Sequence, residues 1–444
     1  MRVVFLEVDT ERSWAVASIG PAFLAAYLRA NGHEAGFVRA TIDMPDEEIV
    51  SCLIAEKPAL IGVSLTTRQW LRARHLIQLT RDRLNVPVVA GGLHATFSPD
   101  VVLSSPGFDY VCLGEGEETL LDLANAIERG THEFPIPNIW RRGGEKPSLR
   151  PPIEPMDRLP FLARDLLDEP RGTVHMTTQR GCPFPCTYCG ARMYNQLYQG
   201  TGEYGRRRSH ENVLAELFAL REQGLLSYVI FLDDTFTINH PWVKEFCRVY
   251  GSEIKAGFSL HARVETVSEP MLHMLAAAGC KQITYGVESG SERVRRDIMR
   301  RPVTNQRFRD VFRWTREAGI LLTANFMLGI PGETRDDIQQ TVDLAEELNV
   351  ADFGYFVFYP YPGTHLFQVA RDGGMLPDDY LELPANHRES ILALPGLTNA
   401  DIAEFYDKLT DLRARLYEAR SLRWAAAASA PGAFDHVYDL ARTG

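Results

Sequence analysis

The chain has 444 residues, 45% of them hydrophobic and 24% charged, which is typical of a globular protein with a large core. This length is too great for one ordinary domain and predicts two or three. The net charge of −11 argues against a broad nucleic-acid-binding surface, so no nucleic-acid partner is expected. No apolar run is long enough to predict a transmembrane segment.

The first part of the chain alternates short apolar runs with helix-like segments. We predict strands at Val3–Val8, Glu34–Val38, Leu60–Leu65, Val88–Ala90 and Tyr110–Leu113, and helices at Ile19–Ala30, Glu47–Glu56, Gln69–Arg83 and Glu117–Glu128. This alternation predicts an α/β fold with a doubly wound parallel sheet. Such a sheet binds ligands at the carboxyl ends of its strands. The apolar stretch at the start of the chain is too short for the apolar region of a signal peptide and is assigned to the first strand.

Glycine follows two of these predicted strands, as Gly91 and Gly92 after one and Gly114 after another. Glycine allows a planar or phosphorylated ligand to approach the backbone closely, but many open α/β domains also use it for turn geometry. His94 is interpreted as a loop histidine with internal hydrogen bonds rather than as a metal ligand. These glycines are therefore candidates for a binding edge that needs further support.

A proline-rich connector follows at residues 131–170. Proline disfavours helix interiors and central strands, so this stretch is expected to be an ordered linker and not a third fold. The predicted domains are residues 1–130, the linker 131–170, a second α/β domain at 171–370 and a small, mostly helical region at 371–444.

The second domain repeats the strand–helix alternation. Its predicted strands are Val174–Gln179, Tyr228–Leu232, Phe258–Leu260, Gln282–Val287, Leu321–Leu328 and Phe353–Phe358. Ser209 and Gly224 are predicted to bound one helix, and Thr334 with Asp337 resembles a capping box that starts another. Six such units predict a partial (β/α)6 barrel, whose chemistry takes place at the carboxyl ends of the strands.

Three cysteines follow the first strand of this barrel with the spacing C-x3-C-x2-C: Cys182, Cys186 and Cys189. An electron-transfer iron–sulfur cluster normally has four cysteine ligands. Three thiolates leave one iron of a cubane cluster open, as catalytic metal sites leave a coordination position for substrate. The motif therefore predicts a cluster at which a cosubstrate binds.

The alternatives are a structural zinc site and three unrelated core thiols. Zinc sites usually pair C-x2-C with a second Cys/His pair, and no such pair follows here. The four remaining cysteines have apolar neighbours and are interpreted as buried core thiols: Cys52, Cys112, Cys247 and Cys280. No disulfide framework is expected.

With an aromatic residue, Tyr188, before its last cysteine, the motif resembles that of the radical S-adenosylmethionine (SAM) enzymes. In that family a [4Fe–4S] cluster binds the amino and carboxylate groups of SAM through its open iron. Reduction cleaves SAM to a 5′-deoxyadenosyl radical, which abstracts hydrogen from an unactivated C–H bond. The resemblance implies an electron donor such as flavodoxin or ferredoxin, and the oxygen-sensitive cluster implies a reducing, cytoplasmic location.

The same resemblance implies roles for polar residues at the barrel strand ends. Asp233 or Asp234 would accept a hydrogen bond from the SAM amino group, and Arg263 or Ser289 would face its carboxylate. Glu288 would contact the ribose. Acidic residues at strand ends also cap helices, which is the structural alternative for each of them.

The adenine of SAM would be bordered by Tyr188 and by the backbone between Ile330 and Gly332. The resemblance names no individual catalytic residue, because the cofactors carry the reaction.

An open α/β domain placed before this motif resembles the cobalamin-binding, flavodoxin-like domain of the cobalamin-dependent radical SAM enzymes. The resemblance implies that the loop of Thr66, Thr67 and Arg68 runs near the cobalt. It also implies that Gly91, Gly92 and Gly114 border the corrin or its nucleotide tail. The first loop, residues 8–13, has no histidine to bind cobalt. That absence suits a cobalt without a histidine ligand, but a domain that has lost its cofactor would look the same.

The C-terminal region contains a helix with apolar residues at heptad-like spacing: Ile402, Phe405, Leu409, Leu412 and Leu416. We interpret it as a packing helix, because a dimeric coiled coil would need more heptads. Asn399 is a candidate cap for this helix.

These features predict a cobalamin-dependent radical SAM methyltransferase, which would methylate an unactivated carbon using the 5′-deoxyadenosyl radical and methylcobalamin. The alternative with the same cofactors is an oxidative cyclase or a ring-rearrangement enzyme. A non-catalytic sensor of cluster and cobalamin is a third hypothesis. The substrate, a small molecule or a lipid-like compound, is not decided by the sequence.

Overall fold

The computed structural model describes residues 1–9, 19–131, 135–167, 169, 172–350 and 352–427. The chain forms two compact units. The first comprises residues 1–170, 193–209 and 361–363, and the second comprises 171–192, 210–360 and 364–444. Within the described ranges, none of the helices combines the length and the apolar character needed to span a bilayer.

The first unit is built on a six-stranded sheet. Its strands are β1 (Arg2–Val8), β2 (Glu34–Ala40), β3 (Leu60–Ser64), β4 (Val88–Gly91), β5 (Tyr110–Cys112) and β6 (Ile139–Arg141). They lie in the order β2-β1-β3-β4-β5-β6, in which the first five are parallel and β6 is antiparallel. The order of the parallel strands is that of the flavodoxin-like fold, which confirms the predicted fold class. Strand β6 lies within the stretch that we predicted to be a linker.

Helices cover both faces of this sheet. They are α1 (Ile19–Ala30), α2 (Asp46–Ala55), α3 (Trp70–Arg81), α4 (Gly92–Phe97), α5 (Pro99–Ser104) and α6 (Glu117–Glu128). Val4 and Leu6 of β1 pack in a core with α2 and α3, whereas Val3 and Phe5 pack in a core with α1 and α6. Alternate strand residues thus serve opposite faces. The six-residue helices α4 and α5 were not predicted, because they are too short to show a helical period.

A buried ion pair lies within the first unit. Arg206 pairs with Glu115, and their side chains are only 4% and 9% exposed. Arg206 also donates to the carbonyl of Ile153 at 2.7 Å, and the backbone N–H of Glu115 donates to the Tyr198 hydroxyl at 2.7 Å. These bonds satisfy the buried charges and fix the loop after β5.

The second unit is built on six parallel strands. They are β7 (Thr173–Met176), β10 (Tyr228–Phe231), β11 (Gly257–Ala262), β12 (Cys280–Glu288), β13 (Leu321–Leu328) and β14 (Phe353–Val357), in the order β14-β13-β12-β11-β10-β7. Each strand pairs with its neighbours in chain order, which confirms the predicted partial barrel. Two short strands, β8 (Gln179–Arg180) and β9 (Arg206–Arg207), lie elsewhere in the chain.

Helices follow the strands of the second unit. Helix α7 (Gly190–Leu197) follows the cysteine loop, and its residues from Met193 onward belong to the first unit. The helices of the second unit are α8 (His210–Glu222), α9 (His240–Glu253), α10 (Glu269–Ala278), α11 (Asn305–Glu317), α12 (Arg335–Leu348), α13 (His365–Asp372) and α14 (Asn399–Ala427). The predicted capping box starts α12, where the Thr334 hydroxyl accepts from the Asp337 backbone and the Asp337 carboxylate accepts from that of Thr334. Apolar residues of α9 to α12 form one core with the outward-facing strand residues.

Helix α14 packs against the core of the second unit, as predicted. Ile402, Phe405, Leu409 and Leu412 are all buried. Asn399 does not cap this helix, because its side chain donates to the carbonyl of Ser390.

Thr398 takes the capping position of α14. Its hydroxyl accepts from the backbone of Asp401, whose carboxylate accepts in return from the Thr398 backbone at 2.8 Å. Of the four cysteines outside the motif, Cys112, Cys247 and Cys280 are buried, but Cys52 is exposed. Our prediction that Cys52 is a core thiol was therefore wrong, because this position of α2 faces solvent.

Candidate active site

The three motif cysteines lie in the loop that joins β8 to α7. Cys182 and Cys186 are buried, and Cys189 is partly buried. Thr187 fastens this loop: its hydroxyl donates to the carbonyl of Ile298 at 2.7 Å, and its carbonyl accepts from the backbone of Leu366 at 3.1 Å. The loop therefore has a defined conformation supported by protein contacts.

The donor set fits a cubane cluster better than a single ion. Among the described residues, no three His, Cys, Asp or Glu side chains converge as the ligands of one metal ion. A cubane cluster binds each thiolate through a different iron, so its three cysteines surround the cluster without reaching one common ion. Burial raises the pKa of Cys189 to about 12, and the positive charge of bound iron is what makes a thiolate favourable at such a site.

A charged network lies next to the cluster loop. Arg263 donates to the sulfur of Cys186 at 3.1 Å and pairs with Glu265. Glu265 also pairs with Arg301 at 3.1 Å, and Arg301 lies 3.7 Å from the Glu288 carboxylate. Hydrogen bonds and ion pairs thus connect the cluster loop at Cys186 to Glu288 at the end of β12.

The pKa values of the two carboxyl groups in this network are shifted in opposite directions. Burial raises the pKa of Glu265, but the guanidinium groups of Arg301 and Arg263 outweigh it and leave this pKa below its usual value. For Glu288 burial is dominant, and its pKa is raised despite Arg301 and a hydrogen bond from Tyr188. Glu288 also has a φ of 69°, rare for a non-glycine residue, beside a bulge in β12. Such strain is typical of functional sites.

Asp233 and Asp234 have different surroundings although they are adjacent. Asp233 is buried, and its carboxylate accepts from the backbone of Thr178 at 2.7 Å and of Gln179 at 2.8 Å. Asp234 is exposed, and the surrounding protein raises the pKa of its carboxyl group by desolvation. Of the two predicted SAM contacts, Asp234 is the one with an accessible carboxylate.

Ser289 and Ile330 point into the protein. The Ser289 side chain is fully buried, lies 3.3 Å from the Thr341 hydroxyl and accepts from the backbone of Ser291 at 3.2 Å. Ile330 is fully buried, whereas Gly332 is exposed with a φ of 85°. Only Gly332 of this group offers backbone to a ligand.

Glu333 shapes the turn that follows β13. One of its carboxylate oxygens accepts from the backbone of Gly329 at 2.7 Å and of Ile330 at 3.1 Å, while the other has no hydrogen-bond partner within the described part of the chain. Burial raises the pKa of Glu333 to about 8, despite these two backbone donors. This buried carboxyl group holds the segment predicted to border adenine.

The inner face of the barrel sheet is polar. His261, Thr284 and Thr323 lie side by side in register across β11, β12 and β13, and the two threonine hydroxyls are 2.7 Å apart. In the adjacent layer Asn325 lies between Gly286 and Gly354. A methyl group added at Gly354 would lie 2.6 Å from the Asn325 side-chain oxygen. A methyl group added at Gly286 would collide with the Glu288 carboxylate, so side chains of this layer pack directly over both glycines.

The carboxyl edge of the first unit carries the predicted cobalamin loop. Gln69 accepts from the backbone of Thr66 at 2.8 Å and donates to the carbonyl of Val8 at 2.9 Å, while Thr67 shares a hydrogen bond of 3.2 Å with His94. Arg68 is half-buried. The chain thus presents an ordered loop of small polar residues with one cation at the edge where flavodoxin-like domains bind ligands.

Two of the predicted glycines fill defined structural needs. Gly92 has a φ of 87°, and a methyl group there would lie 2.8 Å from the carbonyl oxygen of Leu65. Gly114 has a φ of 74°, and a methyl group there would collide with the Tyr198 hydroxyl. Gly91, the last residue of β4, precedes α4 in an extended conformation. The space beside Gly92 and Gly114 is therefore occupied by protein, which leaves Gly91 as the better candidate for close approach by a ligand.

A cobalt-binding histidine is not provided by His94. Its side chain is 2% exposed, its Nδ1 atom bonds Thr67, and burial lowers its pKa to about 4. The predicted loop at residues 8–13 lies, from Thr10 onward, outside the described residues. The described edge fits a cobalamin whose lower face is not bound by His94.

Sequence reasoning did not identify the residues that support the site. Thr178, Glu265 and Arg301 contact predicted site residues through hydrogen bonds or ion pairs, and Thr187 fixes the cluster loop to the Ile298 carbonyl. Glu265 has a weak sequence indication, since it follows Arg263 by two positions. The others have none, because their partners are distant in the chain.

Two family models match this chain. The model of the Radical SAM superfamily matches residues 176–345, and that of the B12 binding domain matches residues 14–124. The first range contains the cluster loop. The second contains the predicted cobalamin loop at the carboxyl edge of the sheet in the first unit.

Individual proteins are similar over most of the chain. The uncharacterised methyltransferase PH0819 of Pyrococcus horikoshii is 28% identical over 373 residues, 81% of this chain and 79% of that protein. The anaerobic magnesium-protoporphyrin IX monomethyl ester cyclase of Rubrivivax gelatinosus is 25% identical over 405 residues, 84% and 70% of the two chains.

A solved structure shares the fold. The radical S-adenosylmethionine methyltransferase TsrM from Kitasatospora setae superposes with a TM-score of 0.71 at 19% identity, covering 93% of this chain and 89% of that one. This chain therefore belongs to the cobalamin-dependent radical SAM enzymes, and its cofactors are a [4Fe–4S] cluster, SAM and cobalamin.

Proposed function

We propose that this enzyme transfers a methyl group from SAM, by way of cobalamin, to an unactivated carbon of a small polar molecule. The observation that carries the proposal is the combination of a B12-binding domain with a three-cysteine SAM-type loop on one chain. When bound, the cluster with SAM supplies a hydrogen-abstracting radical, and cobalamin supplies a carrier for the methyl group.

The chain's own residues bind and orient SAM in this proposal. We assign the accessible carboxylate of Asp234 to the SAM amino group and the backbone at Gly332 to the adenine. Glu288, bonded by Tyr188 and close to Arg301, is the candidate for the ribose. Asp233, Ser289 and Glu333 hold the loops around them. A radical reaction depends on such positioning, since small displacements change which atom is attacked.

The barrel interior supports a polar substrate over a lipid-like one. Among the described residues, neither His261 nor Asn325 has a hydrogen-bond partner for its side chain, and His261 is exposed. Desolvation by the surrounding protein lowers the pKa of His261, so a neutral imidazole is available as both donor and acceptor at neutral pH. An alkyl chain against these groups would leave them unsatisfied.

For the electron that cleaves SAM, we propose a flavodoxin or ferredoxin as donor. We also propose a cytoplasmic location, since the reducing conditions there preserve thiolates and an oxygen-sensitive cluster. Neither proposal depends on the substrate.

A second candidate function is oxidative cyclisation or ring rearrangement without methyl transfer. The similarity to the anaerobic magnesium-protoporphyrin IX monomethyl ester cyclase supports this second candidate. The two functions differ in how SAM is consumed: methyl transfer produces S-adenosylhomocysteine in addition to 5′-deoxyadenosine, whereas cyclisation produces 5′-deoxyadenosine without it.

This difference can be measured before the substrate is known. The enzyme is purified anaerobically with hydroxocobalamin, its iron, sulfide and cobalt are quantified, and it is incubated with methyl-deuterated SAM and a strong reductant. Methyl transfer predicts S-adenosylhomocysteine and recovery of the label with the cobalamin. Formation of 5′-deoxyadenosine alone, with cobalt bound, would support the cyclase instead.

A matched pair of cysteine variants controls this assay. Cys182→Ala should lower the iron content and abolish 5′-deoxyadenosine, because the cluster loses one of three ligands. Cys52→Ala, at the exposed position on α2, should leave both at the wild-type level. Retained SAM cleavage in Cys182→Ala would contradict the radical SAM mechanism.

A further inference from the structure

Arg263 is packed against the cluster-binding loop on two sides. Its Nη1 atom lies 3.1 Å from the sulfur of Cys186, and its guanidinium carbon lies 4.0 Å from the ring centre of Phe184. Only 11% of the Arg263 side chain is exposed. A buried cation therefore lies next to one of the three predicted cluster ligands.

The orientation of this cation is fixed by Glu265. The Glu265 carboxylate pairs with Nη2 of Arg263, and its other oxygen pairs with Nη2 of Arg301 at 3.1 Å. The Arg301 side chain is only 1% exposed, so its own position is set by the core. Because a guanidinium group is planar and rigid, a bond to Nη2 determines the direction of the Nη1 protons. Glu265 thus directs one Arg263 N–H toward the sulfur.

We propose that Arg263 donates a hydrogen bond to the Cys186 thiolate and so raises the reduction potential of the cluster. Reduction adds one electron from the external donor to the cluster, and a cation at a ligand sulfur stabilises that added negative charge. Hydrogen bonds to cluster sulfurs are among the protein features that tune such potentials. This role differs from the contact to the SAM carboxylate that the family resemblance implies. It rests on the presence of the cluster and is independent of methyl transfer.

The test is a redox titration of the cluster in the full-length, cofactor-loaded enzyme without SAM, followed by electron paramagnetic resonance. Arg263→Gln should shift the midpoint to a more negative potential. A tenfold loss in the equilibrium constant for reduction corresponds to about 59 mV for a one-electron couple. Arg263→Lys keeps the charge and should shift the midpoint less.

Two further variants separate charge from general loosening of the loop. Glu265→Gln keeps a carbonyl oxygen that can accept from Nη2 of Arg263 but removes the negative charge that offsets this cation, and should shift the midpoint in the positive direction. Arg309→Gln makes the same substitution at a surface arginine that pairs with Glu347 on α12, and should leave the midpoint unchanged. Water entering a loosened site would screen both charges alike, so opposite shifts for the two neighbours are the expected signature.

An unchanged midpoint in Arg263→Gln, accompanied by weaker SAM binding, would overturn the proposal and assign Arg263 to the SAM carboxylate. If Arg263→Gln does not retain its cluster, the Arg263→Lys midpoint decides, because lysine keeps the charge but lacks the rigid guanidinium N–H that points at the sulfur. A more negative midpoint supports the proposal, whereas an unchanged one overturns it. The proposed methyl transfer can be wrong while the proposed redox role of Arg263 is right, since the titration needs neither substrate nor product.

Discussion

Asp233 holds Thr178, the second residue after β7, through two hydrogen bonds. The Asp233 carboxylate accepts from the Thr178 backbone at 2.7 Å and from its hydroxyl at 3.1 Å. Since the cluster loop begins shortly after Thr178, the end of β10 fixes the start of this loop. The adjacent carboxylate of Asp234 is left accessible.

Replacement of these two aspartates should therefore have different effects. Asp233→Asn removes charge-assisted bonds to buried donors and should lower the free energy of unfolding by about 1–3 kcal/mol. Asp234→Asn should leave this free energy unchanged but weaken SAM binding by about tenfold or more. Chemical denaturation followed by circular dichroism and equilibrium dialysis with labelled SAM measure the two effects. Similar destabilisation by both variants would contradict the assignment.

Gly92 and Gly130 form a matched pair for the cobalamin edge. Both have positive φ, but a methyl group at Gly92 meets the backbone of Leu65, whereas nothing lies within 4 Å of one at Gly130. Gly130→Ala should cost about 1–2 kcal/mol through backbone strain alone. Gly92→Ala should cost more, because the backbone of Leu65 must shift, and should also lower the cobalamin content seen in the visible spectrum, because Leu65 directly precedes the predicted cobalamin loop. Equal losses of stability and normal cobalamin content in both variants would contradict this prediction.

Glu333 should make stability depend on pH. Burial raises the pKa of Glu333 from 4.5 to about 8, so the folded state keeps a proton that the unfolded chain releases. Its contribution to stability is full below about pH 4.5 and is lost as the pH rises toward 8. Glu333→Gln cannot titrate and should lack this loss. Unfolding midpoints of both proteins, measured from about pH 5 to pH 9, should therefore diverge; parallel curves would contradict the prediction.

Much of the fold was predictable because its determinants are local. Helix α1 begins and ends at the predicted residues, and β13 does so as well. Short elements were missed: α4 has only six residues. Strand β6 pairs as an antiparallel edge strand with β5, which a proline-rich sequence did not indicate. A strand of three residues has no period to detect, so its pairing partner defines it.

The sequence by itself determined the chemistry that is available: three thiolates with one spacing, carboxylates and cations at strand ends, and two alternating α/β segments. Tertiary structure alone decided which of them can meet a ligand. Asp233 and Asp234 are equivalent in sequence, yet only one is buried among backbone donors. Arg263 meets Cys186 across 77 positions of the chain. Such assignments depend on packing between distant segments, because hydrogen bonds and desolvation act over a few ångströms in space and leave no pattern along the sequence.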